Sequence, residues 1–455
     1  MPASYQTAVA RMYALGHELA DMPSHKFDLA HMRVLLNALD HPERRYPSVL
    51  IAGTNGKGST AAMLASILQA AGLRTGLYTS PHLLRINERI GINGQVIDDA
   101  KFALLHDMVE RTVERLIEDG ELPWHPSFFE MLTAMAFEHF AASNLDIAVL
   151  EVGMGGRLDA TNVMEPRVSV ITDISLDHEK FLGNTITQIA REKAGIIHPG
   201  GIVVTLPQTP AANDVIGNAI LDQNATAVSA VRYVPSVSPA APNYLASEVS
   251  NAEILSRYPL QVMEKQILVE TALVGRHQLR NVALAIAAAE ELSKQGFPVT
   301  AESIERGIRE TRWPGRFQIV PARRSQPEYI FDVAHNPAGA WALRSTLSNL
   351  REDRRLIFVF GVMRDKAISE MCEVLFPMAE RVVVTQAQNP RSATQEEIRE
   401  AARRTQAEIE LSPDVASALA RAAQIAGTDG IIVITGSIYI VGEAMRALGV
   451  SADAR

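Results

Sequence analysis

Seven consecutive residues, Gly53-Thr54-Asn55-Gly56-Lys57-Gly58-Ser59, combine glycines, one lysine and a terminal hydroxyl. They follow the apolar run Val49-Leu50-Ile51 and precede an amphipathic pattern from Thr60 to Ala71, the signature of strand, glycine loop and helix. Such a loop turns backbone N–H groups and a helix N-terminus toward one anion, and Lys57 adds a point charge for outer phosphates. The chemistry is nucleotide phosphate binding, with Asn55, Gly56, Lys57, Gly58 and Ser59 as the cradle. The spacing departs from the usual phosphate-loop string: two residues, not four, separate Gly53 from Gly56-Lys57, and Gly58 is inserted before Ser59. A glycine-rich turn that binds nothing is the alternative, and other segments weigh against it.

Glu151 ends a second apolar run, Ile147-Ala148-Val149-Leu150, and is followed by Val152-Gly153-Met154-Gly155-Gly156-Arg157. The carboxyl end of a parallel strand is where phosphate-loop proteins place a metal-binding or catalytic carboxylate. Thr79-Ser80-Pro81-His82-Leu83 follows the strand-like Thr75–Tyr78, and Asp173-Ile174-Ser175-Leu176-Asp177-His178 follows Val168–Thr172. Arg191-Glu192-Lys193-Ala194-Gly195 sits on a helical pattern; by type alone Lys193 reads as an exposed lysine paired with Glu192 or Asp177. Asp332-Val333-Ala334-His335-Asn336-Pro337 closes a further strand with polar groups at its tip.

The elements that must position these residues come in two series. Strand-like runs at Ser48–Ala52, Ile147–Val152, Val168–Thr172 and Gly201–Thr205 alternate with helical patterns, and the alternation restarts at Tyr329–Val333, Leu356–Phe360, Arg381–Thr385 and Gly430–Thr435. This predicts an α/β protein: an N-terminal P-loop ATPase-type parallel-sheet domain over residues 1–312, a hinge at 313–316 and a C-terminal Rossmann-like domain over 317–455. Pro314 and Gly315 interrupt the pattern at the seam. The Pro- and Ser-containing stretch Ser229–Pro259 fits either a small β subdomain or a surface insertion.

With 455 residues, 47% hydrophobic and 21% charged, the chain suits two or three globular domains. Its net charge of −9 argues against general nucleic-acid binding. The single cysteine, Cys372, excludes an internal disulfide and a thiolate metal cluster, and its helix-core neighbours predict a buried thiol. The absence of a basic, then apolar N-terminal segment and of a bilayer-length apolar run predicts a cytoplasmic protein with no membrane partner.

Taken together, these segments resemble the folylpolyglutamate synthase and dihydrofolate synthase family, a branch of the Mur ligase superfamily. The resemblance runs from about Lys26 to about Glu443 and includes Gly275-Arg276-His277-Gln278 and Trp313-Pro314-Gly315-Arg316. It implies ATP-dependent ligation of L-glutamate to the carboxylate of dihydropteroate and then of reduced folates, through an acyl phosphate, by a monomer. A polyglutamylase restricted to preformed folates is the near alternative. The resemblance implies ATP and Mg2+ as cofactors, with Ser80, Glu151 and His178 as metal ligands and Lys57, Glu151, His178 and Lys193 as catalytic groups. Lys193 matches a carbamylated lysine (N6-carboxylysine), while His178, an unusual magnesium ligand by type, also fits a group that orients a carboxylate or water. Asn281, Arg316 and Asp332 match nucleotide contacts; His335 fits either the site or a cap on the following helix. Ser127-Phe128-Phe129-Glu130 and Leu158-Asp159-Ala160 match the pterin pocket, although Phe128 and Phe129 fit a helix core equally well. Gly436-Ser437-Ile438-Tyr439 matches a late strand-to-helix turn without an assigned role. A non-catalytic nucleotide-binding module would leave Ser80, Glu151, His178 and Lys193 without a common purpose, and a cell-wall Mur ligase would require more chain before Gly53.

Overall fold

The computed structural model describes residues 4–16, 29–236, 247–249, 253–323, 326–351 and 354–451; Lys26 and part of the Ser229–Pro259 stretch lie outside them. Eight strands form the first sheet: β1 (Ser48–Ala52), β2 (Thr75–Tyr78), β3 (Ile90–Ile92), β4 (Gln95–Val96), β5 (Ile147–Glu151), β6 (Val168–Ile171), β7 (Ile202–Thr205) and β8 (Thr226–Ser229). Their order is β4-β3-β2-β5-β1-β6-β7-β8, parallel from β2 to β8. The short strands β3 and β4 pair antiparallel at one edge and carry no long apolar run that would have revealed them.

β1 and β5 are buried at every position because both faces of the sheet are covered. Leu50, Ala148 and Leu150 point into one apolar core, whereas Val49, Ile51, Ile147 and Val149 point into the other, as the two-residue strand period requires. The helix Lys57–Ala70 is buried on almost all sides, since the helices Arg276–Lys294 and Ala301–Glu310 pack over it. Gly307 permits that approach: a Cβ there would lie 2.4 Å from the Ile67 Cα.

A three-stranded antiparallel sheet follows, β9 (Ser247–Val249), β10 (Glu253–Val262) and β11 (Lys265–Thr271). The described end of the Ser229–Pro259 stretch is therefore part of a small β unit. The last sheet contains β12 (Gln318–Val320), β13 (Glu328–Phe331), β14 (Leu356–Phe360), β15 (Arg381–Val384), β16 (Ile409–Leu411) and β17 (Ile431–Thr435). Its order is β12-β13-β17-β14-β15-β16, with only β12 antiparallel. The α/β reading holds for both series. The strand starts expected at Gly201 and Gly430 shift to Ile202 and Ile431. Among the described residues no helix is long and apolar enough to cross a membrane.

Candidate active site

The loop after β1 is shaped by contacts that exclude side chains. Gly53 (φ +151°) has Thr172 Oγ1 1.8 Å from where its Cβ would be, and Gly56 (φ +91°) has Asn281 Oδ1 at 2.2 Å. The loop is pinned to the segment after β6: Thr54 N and Asn55 N donate to Asp173 O, and Thr54 Oγ1 donates to Ser175 O. Asp173 is itself held by Arg280 at 2.5 Å. Lys57 Nζ curls back to Gly53 O and Thr54 O at 3.1 and 3.2 Å. No side chain caps the helix that starts at Lys57, so its first N–H groups face the loop's concavity unpaired by a cap, the arrangement that receives a phosphate.

Glu151 ends β5 with Oε2 accepting from Ser80 N at 3.1 Å. Burial pushes its carboxyl up, opposed by Lys57, the Ser80 N–H and Arg316. His178 has a left-handed backbone (φ 52°) that turns the chain into the next helix. Burial, then the Lys366 charge, drives its imidazole down to about 3, and its Nδ1 is buried without a hydrogen-bond partner. A neutral ring with an orphan nitrogen fits a metal ligand or a group that orients water. Among the described residues no three His, Cys, Asp or Glu side chains converge on one point. Ser80 and Glu151 carry oxygen donors, the type magnesium prefers, and lie side by side through the Ser80 N–H bond to Glu151.

Lys193 is 3% exposed, and its Nζ donates to Gly53 O at 2.7 Å. Burial, then the neighbouring Lys57 charge, lowers its amine to about 7. The exposed-lysine alternative fails, because Glu192 pairs with Arg157 and Asp177 with Lys366.

The second sheet delivers its strand tips to the same place. Asp332 after β13 is buried, its oxygens accepting from Phe317 N and Ala334 N, and Arg316 feels the charges of both Asp332 and Glu151. Asn336, not His335, caps the helix Pro337–Leu350 by accepting from Gly339 N at 2.8 Å. The Asn336 amide also donates to Asn55 Oδ1 and Asp177 Oδ2, at 3.0 and 3.1 Å. His335 Nε2 lies 3.4 Å from Asp177 Oδ2, and Lys366 Nζ lies 2.6 Å from Asp177 Oδ1. Burial alone would raise the Asp177 carboxyl; His335, His178 and Lys366 outweigh it and hold the group well below the usual range.

Between these edges lies a cavity of about 580 Å³, whose wall includes Ser80, Phe129, Asp159, His178, Arg316 and Lys366. Both phenylalanines line the cavity and both pack on the apolar core, so the two readings left open by sequence are not exclusive. Phe128 is 4% exposed and stacks on Tyr13 at 5.8 Å, whereas Phe129 is half-buried on the cavity with its ring against Gly153, where a Cβ would lie 2.6 Å away. Ser127 and Glu130 touch the cavity, but their polar atoms form a reciprocal capping box for the helix Phe128–Ala142, Ser127 Oγ donating to Glu130 Oε2 at 2.6 Å. Leu158 and Ala160 line the same wall, and the Asp159 oxygens accept from Met154 N and Thr161 N, which shapes the glycine-rich loop after β5.

The Mur ligase middle domain pattern matches residues 126–289, and the Mur ligase glutamate ligase domain pattern matches residues 315–438. The chain is 34% identical over 426 residues to the dihydrofolate synthase/folylpolyglutamate synthase of Bacillus subtilis, covering 92% of this chain and 94% of that one. It belongs to the dihydrofolate synthase/folylpolyglutamate synthase family of Mur ligases. A Mycobacterium tuberculosis folylpolyglutamate synthase complexed with ADP and AMPPCP superposes with a TM-score of 0.86 at 32% identity, covering 98% and 99% of the two chains. Escherichia coli FolC in complex with DHPP and ADP gives 0.79 at 28% identity, covering 98% of each. The protein is thus an ATP-dependent, amide-bond-forming ligase.

Some cavity residues of this ligase were not singled out by sequence. Met363, Lys366 and Arg391 reach it from the second sheet, Arg391 held by Asp365 at 2.8 Å. The signal for Met363 and Lys366 was present: Gly361 through Lys366 follows the apolar run of β14, as the other polar tips follow theirs. Ser437 and Tyr439, noted in sequence without a role, line the same wall.

Proposed function

We propose that this ligase joins L-glutamate to dihydropteroate and to reduced folates, acting as a cytoplasmic monomer. The observation that carries this reading is the cavity itself: its wall combines the flat ring of Phe129 with the cations Arg316 and Lys366 and includes Ser80, whose N–H holds Glu151 at the end of β5. Rings and apolar walls suit a pterin, and the cations suit carboxylates and phosphates. The relatives named for both activities support the pairing of substrates.

On this reading ATP lies with its phosphates on Asn55 to Ser59, with Asn281, Asp332 and His335 around the nucleotide. The acceptor carboxylate oxygen attacks the γ-phosphorus, the bond to the β-phosphate oxygen breaks, and ADP leaves. The glutamate amine then attacks the acyl carbon, phosphate departs and the amine loses a proton. Lys57, Arg316 and the loop N–H groups face the negative charge that builds in the first step. Magnesium, held by Ser80, Glu151 and His178, would supply charge neutralisation at the phosphates. Lys193, buried and pushed down to about 7, has a large neutral fraction at physiological pH. In that form its nitrogen can add carbon dioxide and release one proton, giving the carbamate. The two sheets act as lobes over 1–312 and 317–455 about a hinge at 313–316, and closure excludes water from the acyl phosphate.

The test is phosphate release by purified protein with MgATP and L-glutamate, offering dihydropteroate and tetrahydrofolate separately and weighing the products by mass spectrometry. Glutamylated product from both is expected. Product from tetrahydrofolate alone narrows the reading to a polyglutamylase, and none from either with folded protein overturns it.

A further inference from the structure

Gly58, the residue inserted into the phosphate loop, is not required by backbone angle, since it is absent from the positive-φ glycines. Space explains it. A Cβ at Gly58 would stand 3.2 Å from both Cζ2 and Nε1 of Trp313 and 3.3 Å from Glu151 Oε2, tighter than ordinary contact. The indole edge and the carboxylate therefore crowd the first turn of the uncapped helix that begins at Lys57. The Trp313 ring packs against the core of the first sheet, but its Nε1–H is buried with no hydrogen-bond partner. It does not bond to Glu151, although both border the same glycine.

An unpaired buried N–H is costly and uncommon, so one beside a phosphate-binding loop calls for an acceptor that arrives with a ligand. Trp313 also stands at the start of the chain's passage between the sheets. Two residues later Gly315 takes a left-handed turn (φ +72°), and Phe317 enters the core of the second sheet. Arg316, between them, faces Glu151 and Asp332.

We infer that Trp313 contacts the nucleotide: its indole N–H donates to a phosphate oxygen of ATP seated on Gly56–Ser59, and so fixes the start of the hinge against the loaded loop. The inference rests on the reading of this loop as the ATP site. It also gives the inserted glycine a purpose, because any side chain at position 58 would push the indole off the phosphate.

Trp313→Phe keeps an aromatic ring and deletes the N–H, and AMPPCP with magnesium is the probe, measured by titration calorimetry. Loss of one hydrogen bond to a charged group predicts affinity weaker by about tenfold or more, with the KM for ATP rising in parallel and the KM for glutamate unchanged. A general loss of packing would not separate the two KM values. Affinity within about twofold of wild type in a variant with native melting overturns the inference and leaves the ATP site standing. Should Trp313→Phe fail to fold, the double variant Trp124→Phe/Trp341→Phe leaves Trp313 as the single indole among the three tryptophans. Its emission must then change when AMPPCP is added, and no change overturns the inference. Wild type that binds no AMPPCP overturns the loop assignment as well.

Discussion

Lys366→Met is expected to cripple the ligase by breaking a bridge between the two sheets. Lys366 Nζ sits 2.6 Å from Asp177 Oδ1, with side chains 7% and 5% exposed. Removing one partner of a buried pair typically costs about 3–5 kcal/mol, because the other charge is stranded. Asp177 keeps its Asn336 amide and nearby His335, so the lower figure applies. A loss of about 3 kcal/mol is a fall of roughly 150-fold in the affected equilibrium. Since Asp177 follows β6 and Lys366 follows β14, the loss falls on the contact between the two sheet edges that line the cavity and reads out in kcat/KM. The double variant Lys366→Met/Asp177→Asn strands no carboxylate and is expected to recover by about tenfold or more over the single variant. The assay is glutamate-dependent phosphate release at limiting glutamate, with melting curves to confirm folding. A single variant within about threefold of wild type would refute the reasoning, as would a double variant no better than the single.

Lys57→Ala and Glu151→Ala should each abolish turnover in folded protein, and near-normal steady-state rates would remove both from the site. Gly307→Ala places a Cβ 2.4 Å from the Ile67 Cα, so stability should fall by about 1–3 kcal/mol; an unchanged urea midpoint would mean that the helix pair has room to shift. His106 is fully buried with both ring nitrogens unpartnered, and burial, partly offset by Glu110, lowers its pKa below the ordinary 6.5. The folded state then binds fewer protons than the unfolded state just below pH 6.5, so stability falls as the pH drops through that range. His106→Leu should flatten the dependence of the melting temperature on pH between about 6.5 and 5, and an unaltered slope would show that other groups control it.

The glycine loop and three further strand tips of the first sheet were legible because each polar segment follows an apolar run directly, a pattern local in sequence. Glu151, Ser80 and the Asp173–His178 segment could be placed on one edge for that reason alone. What local pattern cannot supply is partnership: Lys366 meets Asp177 across 189 positions of chain, and Asn336 reaches Asn55 across 281. Burial of Lys193 was equally illegible, since Arg-Glu-Lys on a helix looks solvent-facing until the loop after β1 folds over it. The Ser127-x-x-Glu130 spacing did carry its capping-box signature, which accounts for polar atoms that the family resemblance assigns to the pterin pocket. Whether Phe128 and Phe129 serve the core or the cavity was left open by the local pattern, and packing shows that both do both.

The most direct test of the central claim follows one oxygen atom. With dihydropteroate labelled by ¹⁸O in its carboxylate, MgATP and L-glutamate, activation as an acyl phosphate predicts one ¹⁸O in the phosphate released for each amide formed. Phosphate free of label, alongside glutamylated product, would contradict carboxylate phosphorylation in this cavity.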